Sequence, residues 1–192
     1  MHADTRFQSN RRLRNMIQVL GDYKGFFAMQ KARLIRRDMD ISGCSVSHLA
    51  FRTETYEEYL DLRDRIEQHC TANVENVWNG RPNSKMLLAS PLNLGDGFEV
   101  SLIELIPPMH QRVYKMGLEH VGIVVGESID EFGRVHRTNL TGQQFQSSEC
   151  EPYYILFEDY THVKFYRESL MDVCIKEGQT FEGFSHVSNW SA

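Results

Sequence analysis

The run Ser47-His48-Leu49-Ala50-Phe51-Arg52 returns later in the chain as Glu119-His120-Val121-Gly122-Ile123-Val124. The two histidines are 72 residues apart, and each copy opens a passage that reads as strand, helix and further strands. A repeat of this size, with a histidine at one fixed place, constrains the chain to two halves that bring two imidazoles together. Between the copies lies Ser101-Leu102-Ile103-Glu104-Leu105, a strand-like run with one carboxylate in an apolar frame. Two histidines and one glutamate on facing strands form a candidate metal site.

The remaining patterns fill in the two halves. Residues 9–39 read as helix in two pieces hinged near Gly21-Asp22, with Phe26, Phe27, Met29, Leu34 and Ile35 on one side. That piece is expected to cover a flank of the core; an interface making a homodimer is the alternative. Period two over 45–52 puts Val46, His48, Ala50 and Arg52 on one face and Ser47, Leu49 and Phe51 on the other. Thr53 or Thr55 caps a helix over 55–70. A short strand over 74–78 runs into the turn Asn79-Gly80-Arg81-Pro82, and strands over 85–90 and 98–105 flank the hairpin signal Gly95-Asp96-Gly97. Pro107-Pro108 ends the last of them, since proline cannot donate to a ladder.

The second half repeats the scheme. A strand over 118–125 leads to a helix capped by Ser128, carrying Ile129, Phe132, Val135 and Leu140 and closed at Thr141-Gly142. A hairpin follows over 153–157 and 162–166, then a helix over 168–177 with Leu170, Val173 and Cys174 inward. The fold class is α+β: two βαβββ modules forming one curved, cup-like mixed sheet, with N-terminal helices packed outside. The chain divides into a helical extension (1–44), a first module (45–108), a second module plus C-terminal helix (109–177) and a tail (178–192).

Bulk properties narrow the partners. With 192 residues the chain is long enough for one domain or two fused halves around one core. A net charge of −5 argues against nucleic acid as a partner. Arg11, Arg12, Arg14, Lys31, Arg33, Arg36 and Arg37 crowd the first forty residues; they read as a solvated helix surface, with a local anion-binding face as the alternative. No apolar run approaches a membrane span, and the start lacks the pattern of a signal peptide. Cys44, Cys70, Cys150 and Cys174 contain no C-x-x-C pair, so free thiols in a reducing, cytoplasmic setting are expected.

The chemistry centres on His48, Glu104 and His120. An inward glutamate among apolar neighbours must be paired or metal-bound. Two histidines and one carboxylate form the set that holds non-haem iron with open positions, and zinc, manganese or nickel use it too. The competing account is a buried histidine and a salt bridge from Glu104 to Arg52. Around the trio, Arg52 and Arg81 are candidates for holding a substrate carboxylate, a task suited to the guanidinium fork. Tyr166 and Lys164 are candidates for acid or base, against a packed tyrosine and a solvated lysine. His69, His110, His136, His162 and His186 read as surface residues, with His162 the one positioned to point into the second half's sheet.

Taken together, Ser47–Arg52, Asn79-Gly80-Arg81-Pro82, Ile103-Glu104-Leu105, Leu118-Glu119-His120-Val121 and Val163-Lys164-Phe165-Tyr166 resemble the vicinal oxygen chelate superfamily, which includes glyoxalase I, bleomycin and fosfomycin resistance proteins and extradiol dioxygenases. More closely, the chain is similar to the bacterial YecM-like proteins. The resemblance spans about residues 45–175 and implies metal ligands at His48, Glu104 and His120. Two departures stand out. The superfamily often takes a further carboxylate from the last strand of the second half, where this chain has Lys164, Phe165 and Tyr166; the YecM-like pattern has His-Pro where this chain has Tyr166-Arg167. The resemblance implies a metal-dependent enzyme acting on a small oxygen-bearing molecule. The open three-residue shell tilts the metal toward Fe(II) and the reaction toward oxygenation, ahead of isomerase or lyase chemistry. The alternative is a module that sequesters a small ligand without turnover.

Overall fold

From Ser45 onward, branched and aromatic residues alternate with polar ones, and most of these runs become strands of one mixed sheet. The computed structural model describes residues 16–108 and 113–187. The first half contributes β1 (Ser45–Arg52), α3 (Tyr56–Glu67), β2 (Cys70–Trp78), β3 (Arg81–Gly95) and β4 (Phe98–Ile106). The second contributes β5 (Gly117–Val124), a 3-10 turn (Gly126–Ser128), α4 (Ile129–Val135), β6 (Gly142–Gln143), β7 (Tyr153–Leu156) and β8 (His162–Tyr166). Then come α5 (Leu170–Lys176) and β9 (Gly183–Ser185), preceded at the start of the chain by α1 (residues 16–20) and α2 (Tyr23–Ile35).

The strands run in the order β6-β7-β8-β5-β1-β4-β3-β2-β9. In each half the first strand lies parallel to the last, β1 with β4 and β5 with β8, while β1 and β5 meet antiparallel at the centre. The doubled α+β architecture expected from the repeat is therefore present, with the seam between halves running down the middle of the sheet.

Local chemistry sets most boundaries. Thr55 Oγ1 accepts the Glu58 N–H at 3.1 Å and starts α3, with Glu57 and Glu58 in the positive first turn. Asn79 and Gly80 both adopt positive φ (49° and 75°), making a two-residue hairpin turn, so β3 already begins at Arg81 instead of after Pro82. Asp22 accepts the Gly25 N–H at 2.9 Å and caps α2 just after the break at Gly21.

Two expectations need correction, and the tail adds a strand that the sequence does not announce. Helix α4 stops at Val135, short of Leu140, and Gly142 already belongs to β6. Ser128 makes no side-chain cap; its Oγ reaches back to the Val125 carbonyl while a 3-10 turn opens the helix. In the tail, β9 adds to the edge of β2, and the Val187 N–H reaches Glu75 Oε2 at 2.7 Å. All three β9 residues are exposed, so this pairing rests on main-chain bonds and leaves no apolar period to read.

Helices α1 to α4 cover one face of the sheet. There Tyr23, Phe27, Leu34, Tyr59 and Ile66 pack on Leu49, Ile103, Val121, Ile123 and Phe165; each such side chain contributes roughly 1.5–3 kcal/mol on burial. Met29 and Ile35, expected inward, are exposed. The basic residues of α2 tether it to the sheet: Arg33 forks onto Asp159 and stacks over Phe157, and Lys31 pairs with Asp96. Arg11, Arg12 and Arg14 lie outside the described residues. The other face stays open except where α5 seats Leu170 and Cys174 on Leu102. Among the described residues no helix is long and apolar enough to cross a membrane.

Candidate metal centre

Pairing along the seam places each imidazole. His48 lies opposite Gly122 and His120 opposite Ala50, so each ring sits across from a small residue two places along the other copy. The room is needed: a Cβ on Gly122 would stand 2.5 Å from His48 Cε1 and 2.6 Å from its Nδ1. Both copies also carry one extra residue just before the histidine. Ser47 is unmatched between the pairs Val46–Ile123 and His48–Gly122, and Glu119 between His120–Ala50 and Leu118–Phe51. Such bulges twist the strand and re-aim side chains. The strict alternation expected for β1 fails there: Val46 joins Leu49 and Phe51 in the main core, and Ser47 turns toward His48.

The consequence is one arrangement used twice. Ser47 Oγ lies 2.9 Å from His48 Nδ1, and Glu119 Oε1 lies 3.1 Å from His120 Nδ1. With Nδ1–H donating in each case, both Nε2 atoms keep their lone pairs and face each other at 3.2 Å. Glu104 Oε2 lies 3.2 Å from His120 Nε2 and 3.6 Å from His48 Nε2. Its other oxygen accepts from Asn83 Nδ2 at 3.1 Å. The three donor atoms lie within 4.8 Å of one another. Ligands about 2.1 Å from a shared cation, at about 90° to 110°, stand roughly 3.0–3.4 Å apart. Two of the separations, both 3.2 Å, fall in that range and the third, His48 to Glu104 at 3.6 Å, lies just beyond it; each donor is oriented by its own polar neighbour.

The electrostatics agree. Burial drives His48 down to about 3, against the pull of Glu104 and helped by His120, Lys164 and Lys85, so the imidazole is neutral at ordinary pH. Burial alone would raise the Glu104 carboxyl, but His120, His48 and Lys164 together outweigh it and hold it well below the carboxylate range. Burial is likewise overcome at Glu119, which His120 and Arg52 bring down to about 2. A neutral imidazole at His48, a second imidazole at His120 and an ionised carboxylate are a donor set for a divalent cation.

A cavity of about 720 Å³ opens over Glu104, with Arg52, Glu119, His162, Lys85 and Lys164 in its wall. The other sequence candidates divide. Arg52 is not a free fork at the rim: it is 4% exposed, paired with Glu119, bonded to the Pro107 carbonyl at 3.0 Å and stacked 3.9 Å from the Tyr114 ring. It therefore does not pair with Glu104 either. Arg81, half-buried at the start of β3, is outside the cavity lining, which takes Asn79 and Asn83 on either side of it. Tyr166 is buried, packs with Cys150 and Val173, and sets its ring 5.4 Å from His48; burial raises its hydroxyl well above the usual range. It is the packed tyrosine, not a residue of the cup. Lys164 is buried, not solvated, and lines the cavity.

Other residues emerge only from the structure. His162, read as a surface residue, is half-buried in register with His120, with ring centroids 6.3 Å apart. Burial lowers it to about 4, and its Nδ1 has no hydrogen-bond partner among the described residues. Glu119 had a signal in the sequence, since a polar residue precedes the histidine in both copies. Asn83 and Lys85 had none, because their roles arise from pairing across β3 and β4. His186, expected at the surface, is exposed but pairs with Glu67 at 2.6 Å. His110 lies outside the described residues.

A family model described as YecM protein matches residues 15–177. The chain belongs to the YecM family. A solved structural-genomics protein, EC4020, is similar to this YecM-family chain with a TM-score of 0.66 and 23% identity over 84% of this chain and 92% of that one; this likeness shows the fold. Weaker likenesses extend to a candidate dioxygenase from Bacillus subtilis (TM-score 0.44, 8% identity, 66% of this chain and 41% of that one). They also extend to the fosfomycin resistance protein FosX from Listeria monocytogenes, complexed with Mn(II) and sulfate (TM-score 0.28, 14% identity, 68% and 95%). No curated protein matches the YecM-family chain. The pairing of two βαβββ modules in one sheet is the arrangement that resemblance to the vicinal oxygen chelate superfamily implied.

Proposed function

We propose that this YecM-family chain is a metal-dependent enzyme of the vicinal oxygen chelate type, acting on a small oxygen-bearing organic molecule. The observation that carries the reading is the convergence of His48, Glu104 and His120, each held by its own partner. These three residues would hold the cation. Fe(II) is favoured and Zn, Mn or Ni are the alternatives, because a two-histidine, one-carboxylate set leaves coordination positions open. When bound, the metal supplies Lewis acidity toward a substrate oxygen. Oxygenase chemistry is favoured over isomerase or lyase chemistry on the same ground.

The chain's own residues do the rest. Ser47, Glu119 and Asn83 fix the donors before anything binds, so no reorganisation is left for the moment of reaction. Arg52 neutralises Glu119, which leaves Glu104 as the trio's carboxylate beneath the cavity. Tyr166 and α5 close the side of His48 to water.

The test is metal content after purification without oxygen, for wild type, His48→Ala and Glu104→Gln. Near-stoichiometric metal in wild type and loss in both variants is expected; near-zero metal in all three would overturn the reading. A ligand-sequestering module, suggested by the size of the cavity and its aromatic mouth, would instead show thermal stabilisation by small molecules that is indifferent to added metal.

A further inference from the structure

The two halves of the sheet match residue for residue around the trio, with one exchange of charge. Ala50 pairs with Glu104 across β1 and β4, and Gly122, its counterpart in the repeat, pairs with Lys164 across β5 and β8. Lys164 thus occupies the place in the second half that Glu104 holds in the first. Opposite Glu104 on the other side is Lys85 of β3. Both lysines are more than nine-tenths buried, both line the cavity, and the charges of both reach His48.

Neither has a carboxylate of its own. Lys85 Nζ donates to Asn76 Oδ1, a neutral acceptor, and Lys164 makes no hydrogen bond or ion pair with a described residue. Glu119 is already neutralised by Arg52. That leaves two buried ammonium groups flanking Glu104, with Glu177, which accepts from Ser147, as the remaining carboxylate of the lining; a divalent cation at the trio would tip this balance to positive. Buried charge is retained where something pairs with it. Toward the mouth the lining changes character: Trp78, Phe145, Leu156 and Tyr160 are large, apolar and exposed, Phe145 by 76%. Exposed apolar side chains grouped at a cavity mark a contact surface.

We infer that the cup takes an amphipathic organic anion, its carboxylate or phosphate head between Lys85 and Lys164 and its apolar body against Trp78, Phe145, Leu156 and Tyr160. This names the substrate class for the site proposed above and rests on reading that cup as the place of reaction. A lysine is a point charge and does not choose between the two head groups. The cavity volume of about 720 Å³ suits a ligand of ten to twenty heavy atoms rather than a bare ion.

The test is calorimetric titration of the full chain, metal-free and Mn(II)-loaded, with 3-phenylpropionate, phenyl phosphate, 3-phenylpropan-1-ol and inorganic phosphate. At least one aromatic anion is expected to bind about tenfold or more tighter than the alcohol, and to lose about tenfold or more in Lys164→Met and in Lys85→Met. Lys164→Arg is expected to retain binding. Anions no tighter than the alcohol, or binding unchanged in both methionine variants, would overturn the inference. Inorganic phosphate matching phenyl phosphate would overturn the apolar half of it. Wild type that holds metal but fails these arms sinks only the anion; wild type that passes them without retaining metal sinks only the metal reading.

Discussion

Gly122→Ala is a one-carbon change that tests how closely the seam and the candidate centre are coupled. The added Cβ would lie 2.5 Å from His48 Cε1, 2.6 Å from Nδ1 and 3.1 Å from Tyr166 Cε2. Ordinary carbon contacts are about 3.5–4.0 Å, so the ring must retreat by about 1 Å. It has nowhere cheap to go: His48 is fully buried, tied to Ser47 and flanked by Tyr166. Overpacking of this kind costs about 1–3 kcal/mol, which lowers the melting temperature of a chain this size by about 2–12 °C. The larger effect is on the donors, because a 1 Å shift of Nε2 breaks the 3.2 Å spacing to His120. Metal affinity should fall by about 10- to 100-fold, as it does when an orienting partner is lost. Competition against a chromogenic chelator measures the affinity, and differential scanning calorimetry the stability. Gly43→Ala is the control, since a Cβ there meets nothing within 4 Å. Wild-type metal affinity in Gly122→Ala would refute the claim that the small residue opposite each histidine sets the site.

Further outcomes follow from buried partners. Arg52→Met strands Glu119 without a counter-charge and should cost about 3–5 kcal/mol in urea melts, part of it restored by adding Glu119→Gln. In chelator-treated protein, Glu119 falls from an ordinary 4.5 to about 2 on folding, so its contribution is complete above about pH 5 and is lost as pH falls through about 2. That contribution is about 3 kcal/mol, and Glu119→Gln should flatten this part of the stability–pH curve; an unchanged slope would contradict it. Asn83→Leu should weaken metal binding by about 10-fold with little effect on melting, because it releases Glu104 without disturbing the main core. Arg33→Ala should cost about 1–3 kcal/mol, since the fork on Asp159 and the stack on Phe157 both disappear; equilibrium unfolding checks it.

The doubled sheet was legible because each half announces itself with the same six-residue pattern and because strands leave a period of two. The trio could be named from symmetry: two histidines in matching strands and a carboxylate in the strand that lies beside one of them. What the sequence does not disclose is what depends on register. Ser47 and Val46 were assigned to the wrong faces because a bulge is one unmatched residue, visible only against its partner strand. Arg52 looked available because the sequence does not show that Glu119 reaches it. Lys164 looked solvated because a lone lysine in a strand carries no mark of burial. Leu140 was drawn into α4 by an apolar period that continues after the helix has stopped. β9 passed unnoticed since main-chain pairing at an edge asks nothing of its side chains.

The antiparallel seam between β1 and β5 has donors on both banks: His48 and Glu104 come from one bank, His120 from the other. An ion lodged there would act as a rivet. Forces that pry the banks apart would register as looser chelation, and a tighter-held ion would raise the load the molecule bears before it splits. Grip and cohesion would then be one property, read either by titrating the ion or by pulling on the chain.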